Sequence, residues 1–412
     1  MNPNDPIDPN SEPSSPPQQP PADVYGQPPP PPGAYGQPPA GQPGWGQYGQ
    51  QPPPGAYGQP PAGQPGWGQY GQQPPPGPYG QQPYYPMQPQ RSGGAPILGI
   101  VAIVGIMLVV GLTVAYFSIA PRNTQSLAQA RSGFQTHVIT QTRNTDPLPT
   151  PPTGFSIVEY PAPLGDFPAI LANPDTLGSA TTGGRHPAII WIEGGFSNEI
   201  DDGPWSPATP DNDQSGSAFY KAGIVEMYPS LRGGNGNPGY LETSYGEVDD
   251  VLAAERFLAA QPNVDPTHIY LAGHSTGGTL VLLTEEASYG QFRAVFSFGP
   301  VSDTSAYGQN DVAYDVDDAN ERRLRAPVDW LSSIKNPTFV IEGDSNQSNI
   351  DQLRYMRMVN SNPLLQFAEV PGADHFSELS RTTPVIAEKI LADTGSTCNI
   401  TLSSSDWSAR SQ

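Results

Sequence analysis

The chain has 412 residues, and its 39 acidic against 18 basic side chains give a net charge of −21. That excess argues against nucleic acid and anionic lipid headgroups as partners, because both would meet like charge. The single cysteine, Cys398, excludes an intrachain disulfide and a cysteine-built metal site.

Residues 1–93 are a Pro/Gly/Gln/Tyr-rich tail with almost no aliphatic side chains to bury, so a disordered segment with local polyproline-II character is expected. A 22-residue unit at 32–53 repeats unchanged at 54–75. It has no hydrophobic face to stack, so it predicts a spacer rather than a solenoid. The rival reading is a ligand for aromatic-lined Pro-binding modules, or a tail that self-associates. Residues 94–120 contain ILGIVAIVGIMLVVGLTVAYFSIA, a charge-free run at 97–120. At about 1.5 Å per residue it reaches across a hydrocarbon core of about 30 Å, and a single-pass membrane helix is predicted. The flanking arginines differ by one, so the orientation is argued instead from the long polar segment ahead of the run. That places the C-terminal domain outside the cytoplasm. Residues 121–153 are polar and Pro-rich towards their end, and read as a linker.

From residue 154 to 398 the pattern is that of one α/β domain, followed by a short tail at 399–412. Residues 156–160 and 167–173 read as an antiparallel edge pair. AIIWI at 188–192 is a buried strand leading into Glu193-Gly194-Gly195-Phe196, and 223–228 is the next strand. Ser244 and Glu247 have capping-box spacing, opening a helix with Val248, Val251, Leu252 and Leu258 on one face. Strands follow at 268–272, 294–298, 338–341 and 367–370. Helices are expected near 321–334 and from Thr383-Pro384 to Gly395. Strands alternating with helices predict a mostly parallel sheet covered on both faces.

Gly273-His274-Ser275-Thr276-Gly277 lies between the strand at 268–272 and an apolar helix. This Gly-x-Ser-x-Gly in a strand–turn–helix context is the signature of a nucleophile elbow, with Ser275 as nucleophile. In isolation the motif would be an ordinary Gly-rich turn. A serine also needs a base, a group that orients the base, and donors for the oxyanion. Of the five histidines, His137 falls in the linker, His186 precedes a buried strand and His268 starts one. His274 is adjacent to the nucleophile and expected to point elsewhere. His375, in the loop between the last strand and last helix, is the expected base. The acid should follow the strand at 338–341. Asp344 is the choice there, with Glu342 and Asp351 as alternatives and Asp374 read as a loop-ordering carboxylate. The expected oxyanion donors are the N–H of Thr276 and that of Gly195 or Phe196. Arg232 reads as a loop-holding ion-pair partner or, alternatively, a contact to an anionic substrate group, and Trp205 and Tyr228 as pocket or core.

AGHSTGG, EGGF, YPSLRGG, VDPTHIYLAGHS and PGADHF, in this order, resemble the α/β-hydrolase superfamily. The likeness is to the prolyl oligopeptidase catalytic domain and its dienelactone-hydrolase-like relatives, over roughly residues 155–392. The resemblance implies a serine hydrolase acting through an acyl-enzyme on a peptide or ester substrate, with no cofactor and no metal, and the apolar run at 97–120 makes it a membrane-anchored one. Two departures stand out. The β-propeller that commonly precedes this domain is replaced by tail, anchor and linker, so an esterase is the alternative to a peptidase. The family's acid position falls on Asn346, so Asp344 requires a shorter loop. A non-catalytic scaffold that keeps the hydrolase fold is the third reading.

Overall fold

The computed structural model describes residues 125–173, 184–345 and 347–408. The repeat tail and the apolar run at 97–120 lie outside the described residues, as does Asn346. Among the described residues no helix is long and apolar enough to cross a membrane.

The described chain opens on a short helix, α1 (Leu127–Arg131), with Ser126 and Gln129 forming a reciprocal capping box. Two antiparallel strands follow, β1 (Phe155–Ala162) and β2 (Gly165–Ala172), then β3 (His186–Ile192). Next come α2 (Ser217–Lys221), β4 (Val225–Pro229), α3 (Glu247–Ala259) and β5 (Val264–His274). The second half runs α4 (Thr276–Ala287), β6 (Val295–Phe298), α5 (Ala319–Arg323), β7 (Thr338–Gly343) and α6 (Ile350–Val359). It ends with β8 (Leu365–Val370), α7 (Ser377–Ala392) and α8 (Ser404–Ser408).

The strands form one sheet in the order β1-β2-β4-β3-β5-β6-β7-β8. β2 pairs antiparallel with both β1 and β4, and from β4 onward every pair is parallel. Side chains alternate across a strand, and both faces are filled. Ala188, Ile190 and Ile192 of β3 join Ile269 and Leu271 of β5 in one cluster with Val248, Val251 and Leu258 of α3. The intervening Ile189, Trp191, Tyr270 and Ala272 face the other layer, with Phe219 of α2 and Leu379, Ile386 and Ile390 of α7. The carboxyl ends of β3, β5, β6 and β7 therefore converge on one edge of a rigid sheet.

Several local expectations change. Ser244 does not cap α3. It lies at φ 62°, and the N-cap is Gly246 with no side-chain hydrogen bond. The helix expected near 321–334 is only α5, because Pro327 stops it and short 3₁₀ turns follow at Pro327–Asp329 and Leu331–Ser333. The last helix begins at Ser377, so Pro384 lies inside it rather than at its start. The described part of the expected linker is laid along the domain. Leu127 is fully buried in the core, Arg131 pairs with Asp249 at 2.9 Å, and Ile139 N donates to Ala313 O.

Candidate active site

Ser275 joins β5 to α4 in a strained conformation, φ 57° and ψ −117°, with its N–H donating to Phe298 O at 2.8 Å. Such a backbone is costly for a non-glycine residue and persists only where its surroundings enforce it. The glycines supply that fit. A Cβ on Gly273 would lie 2.6 Å from Gly277 O, and a Cβ on Gly277 would collide with Ile192 O at the end of β3. Strand and helix thus approach closely enough to make the turn sharp.

His375 lies in the turn after β8, where its N–H donates to Gln347 O at 3.0 Å. Its Nδ1 is 3.2 Å from Oε2 of Glu342, which is wholly buried at the end of β7. The Glu342 carboxylate is itself fixed: Oε1 accepts from Gly343 N at 2.9 Å and Oε2 from Asn349 N at 3.0 Å. Gly299, at φ +59°, underlies the pair, and a Cβ there would fall 2.5 Å from His375 Cε1 and 3.1 Å from Glu342 Oε2.

Asp344, the expected acid, is turned away from the imidazole. Its Oδ1 accepts from Gly372 N at 2.6 Å, bracing the turn that carries His375. β7 runs two residues further than expected, to Gly343, so Glu342 belongs to the strand and Asp344 to the bend beyond it. Asp351 is exposed in the first turn of α6. Asp374 orders the loop, its Oδ1 accepting from Phe376 N, Ser377 N and Ser377 Oγ. Burial works against its charge, but these Ser377 and Phe376 bonds hold its carboxyl below the usual range.

His274 does not point elsewhere. It is fully buried, its ring centroid 4.6 Å from that of His375, and its Nε2 is 2.8 Å from His375 O. Burial, reinforced by His375, lowers its pKa to about 3 against the opposing hydrogen bond to that carbonyl. The ring is therefore neutral, and because a carbonyl only accepts, Nε2 carries the proton. His274 thereby holds the backbone of His375. Its nearness in sequence to Ser275 was the only signal, and that signal does not fix the direction of a ring.

Thr276 opens α4, where backbone N–H groups of the first turn have no carbonyl partner within the helix and the dipole favours negative charge. Its Oγ1 donates to Gly195 O at 2.5 Å, tying the helix start to the loop after β3. Gly195 takes φ +118°, which an L side chain rarely adopts. In a trans peptide the carbonyl and the following N–H point oppositely, so the Phe196 N–H is directed away from Thr276 Oγ1. Phe196 is 46% exposed and packs edge-on against Tyr307 at 5.3 Å. Arg232 ties the loop after β4, bonding Asp250 through Nε and Nη2 and Glu242 through Nη1, all at 2.9 Å. Tyr228 donates to Ser215 O at 3.0 Å, and Trp205 packs on Phe155.

Among the described residues, His274, His375 and Glu378 form a group of metal-ligand type, their ligand atoms within 4.8 Å of one another. One nitrogen of each imidazole is already engaged, by the His375 carbonyl and by Glu342.

Residues 212–347 match the model described as the prolyl oligopeptidase family. With the strand order and the strained elbow, this decides the fold. The folded region has an α/β-hydrolase-like fold. An uncharacterized peptidase of Bacillus subtilis (strain 168), YtmA, is 28% identical over 149 residues, which cover 34% of this chain and 58% of that relative's length. Two solved structures are also similar to the hydrolase domain. A Mycobacterium tuberculosis puromycin-hydrolyzing peptidase is 18% identical with a TM-score of 0.46, covering 61% of this chain and 41% of its own. A Pyrococcus horikoshii acylaminoacyl peptidase is 16% identical with a TM-score of 0.44, covering 60% and 43%.

Proposed function

We propose that this protein is a serine peptidase in which Ser275 forms an acyl-enzyme, His375 is the base, and Glu342 orients His375. The observation that carries this is the strained Ser275 elbow on the same sheet edge as a His375–Glu342 pair whose carboxylate is fixed by two backbone N–H groups. Ser275 Oγ attacks the substrate carbonyl while its proton passes to His375 Nε2. Nδ1–H stays bonded to Glu342, which stabilises the imidazolium. The N–H groups of Thr276 and Gly195 are the donors for the developing oxyanion, and Gly195 is preferred to Phe196 because of the direction of the shared peptide. The imidazolium then protonates the leaving amine, the C–N bond breaks, and water repeats the sequence on the Ser275 ester. The peptidase reading over a carboxylesterase rests on the family match at residues 212–347.

The charge-free run at 97–120 supports a single-pass anchor, and the long polar segment ahead of it favours a hydrolase domain outside the cytoplasm. Deleting 97–120 is expected to release the protein from membranes in a flotation assay; unchanged flotation would remove the anchor.

The enzyme is tested by labelling the full chain with a fluorophosphonate and by turnover of peptide amides and acyl esters. Wild type is expected to label at Ser275, and S275A and H375A to lose turnover while staying folded. Surviving turnover in either variant would overturn the assignment, and turnover of acyl esters with no cleavage of any peptide amide would replace peptidase by esterase.

A further inference from the structure

A cavity of about 130 Å³ adjoins the expected oxyanion donors, reaching Gly195, Thr276 and Gly277. Its walls come from the loop after β3, the end of β4 and the segment leading into α3. Trp191, Tyr228, Leu231, Leu241 and Leu280 give it an apolar surround. Its ionisable lining is of one sign: Glu193, Glu199, Asp201, Glu247 and Asp311, with no lysine, arginine or histidine among the lining residues.

A cluster of acids alone would be no more than a solvated surface. Glu247 is different, being 1% exposed. Its Oε1 accepts from Glu242 N at 2.6 Å and from Asn198 Nδ2 at 3.0 Å, whereas its Oε2 is buried and receives no hydrogen bond from any described residue. A buried carboxylate oxygen without a donor is costly. Arg232 is the cation that acts on Glu247, but its guanidinium is already bonded to Asp250 and Glu242. Three carboxylates thus share one guanidinium beside the cavity. The wall is also held under backbone strain: Thr243 lies at φ 52° and Ser244 at φ 62°. A β-branched residue in that region is rare, and such strain clusters at ligand sites. Burial, with Asp201 and Asp202 adding, raises the Glu193 carboxyl to about 8, in keeping with a wall that lacks positive charge.

We propose that this cavity is a recognition subsite for a cationic group of the substrate, with Glu247 Oε2 as an acceptor and the carboxylates of Glu199, Asp201 and Asp311 supplying the field. The group is an ammonium or guanidinium, carried by a Lys or Arg side chain or by a free α-amine. This deepens the serine-peptidase reading and rests on it.

The test uses the full chain and matched fluorogenic amides. Lys is compared with norleucine at each position flanking the scissile bond, and a free N-terminus with its acetylated form. The cationic member of one pair is expected to have kcat/KM roughly tenfold higher, the discrimination that a charge-assisted hydrogen bond supplies. Which pair responds identifies the source of the charge. Glu247→Gln is expected to bring that ratio towards one. Because Glu247 also ties two loops, the change Glu199→Gln at a half-buried position of the loop after β3 provides a second readout and is expected to lower the ratio in part. Equal loss on cationic and neutral substrates in E247Q, with E199Q silent, would overturn the subsite by showing a structural role alone. A wild type that labels with fluorophosphonate yet shows no cationic preference would also overturn it and leave the hydrolase standing. If wild type does not label, the peptidase reading fails by itself. Calorimetry of n-pentylammonium against 1-pentanol then reads the cavity: preferential binding of the cation, lost in E247Q, supports the subsite, and equal binding overturns it.

Discussion

Glu342 and Asp344 are two residues apart, and in a continuing strand their side chains would share a face. The strand ends between them. Gly343 is approached by the histidine turn, where a Cβ would lie 2.7 Å from Asp374 O, and beyond it the chain bends so that Asp344 meets Gly372 N instead of the imidazole. Glu342→Gln is therefore expected to lower kcat by roughly three to four orders of magnitude, because an amide cannot stabilise the imidazolium and favours the wrong tautomer. Asp344→Asn keeps an acceptor for Gly372 and is expected to cost less than about tenfold. Parallel kinetics on the two variants decide the matter, and the reverse order would return the acid to Asp344. The residue types of this site were legible in the sequence: the elbow serine and the histidine of the last loop follow from motif and chain order. Which carboxylate reaches His375 was not, because it depends on a strand end displaced by two residues and on Gly299 leaving room for His375 above it. Propensity does not resolve boundaries that finely.

At the scale of elements, the buried strands and their order along the chain were readable from apolar runs of fixed length, and the edge pair from its alternation. Elements whose ends depend on distant partners were misread. α7 starts seven residues before Pro384, and Thr383 Oγ1 donates to Leu379 O within it. The stretch before residue 150 looks like a tether by composition, yet it is bound to the domain. Leu127 N donates to Ser333 Oγ, Tyr245 Oη donates to Phe134 O, and Arg325 Nη2 donates to Thr136 Oγ1. A polar strap held by buried and half-buried hydrogen bonds, one fully buried leucine and the packing of Phe134 has no periodicity to reveal it. Leu127→Ala is expected to destabilise the domain by about 2–5 kcal/mol through lost burial and the cavity left behind. At about 2–4 °C per kcal/mol for a domain of this order of size, thermal melting would show a drop of several degrees or more. A chain beginning at residue 150 should melt lower still. Unchanged melting of L127A would return residues 125–150 to the role of a linker.

Across the whole molecule, net charge and burial act together on the dependence of stability on pH. Burial raises the carboxyl of Glu193 to about 8 and holds those of Glu226, Glu286 and Glu378 well above the ordinary range. In the unfolded chain each would titrate near its ordinary value of 4.5. Between the two values the folded state holds more protons than the unfolded state, so stability declines as pH rises. The contribution is complete below about pH 4.5 and, for Glu193, gone once pH has passed about 8. His274 acts in the opposite sense. Its folded pKa of about 3 lies below the unfolded 6.5, so its contribution is complete above pH 6.5 and is lost as pH falls through 3. Above pH 6.5 the raised carboxyls slope the curve, joined near pH 9 by the Cys398 thiol, which burial raises from 9.0 to about 11, and the molecule, already at −21, gains further negative charge. The thermal midpoint of the full chain is therefore expected to fall between pH 7 and pH 9. Glu193→Gln, which is neutral throughout, should flatten that decline, whereas a midpoint that is level or rising from pH 7 to 9 would mean that these carboxyls are already ionised in the folded state.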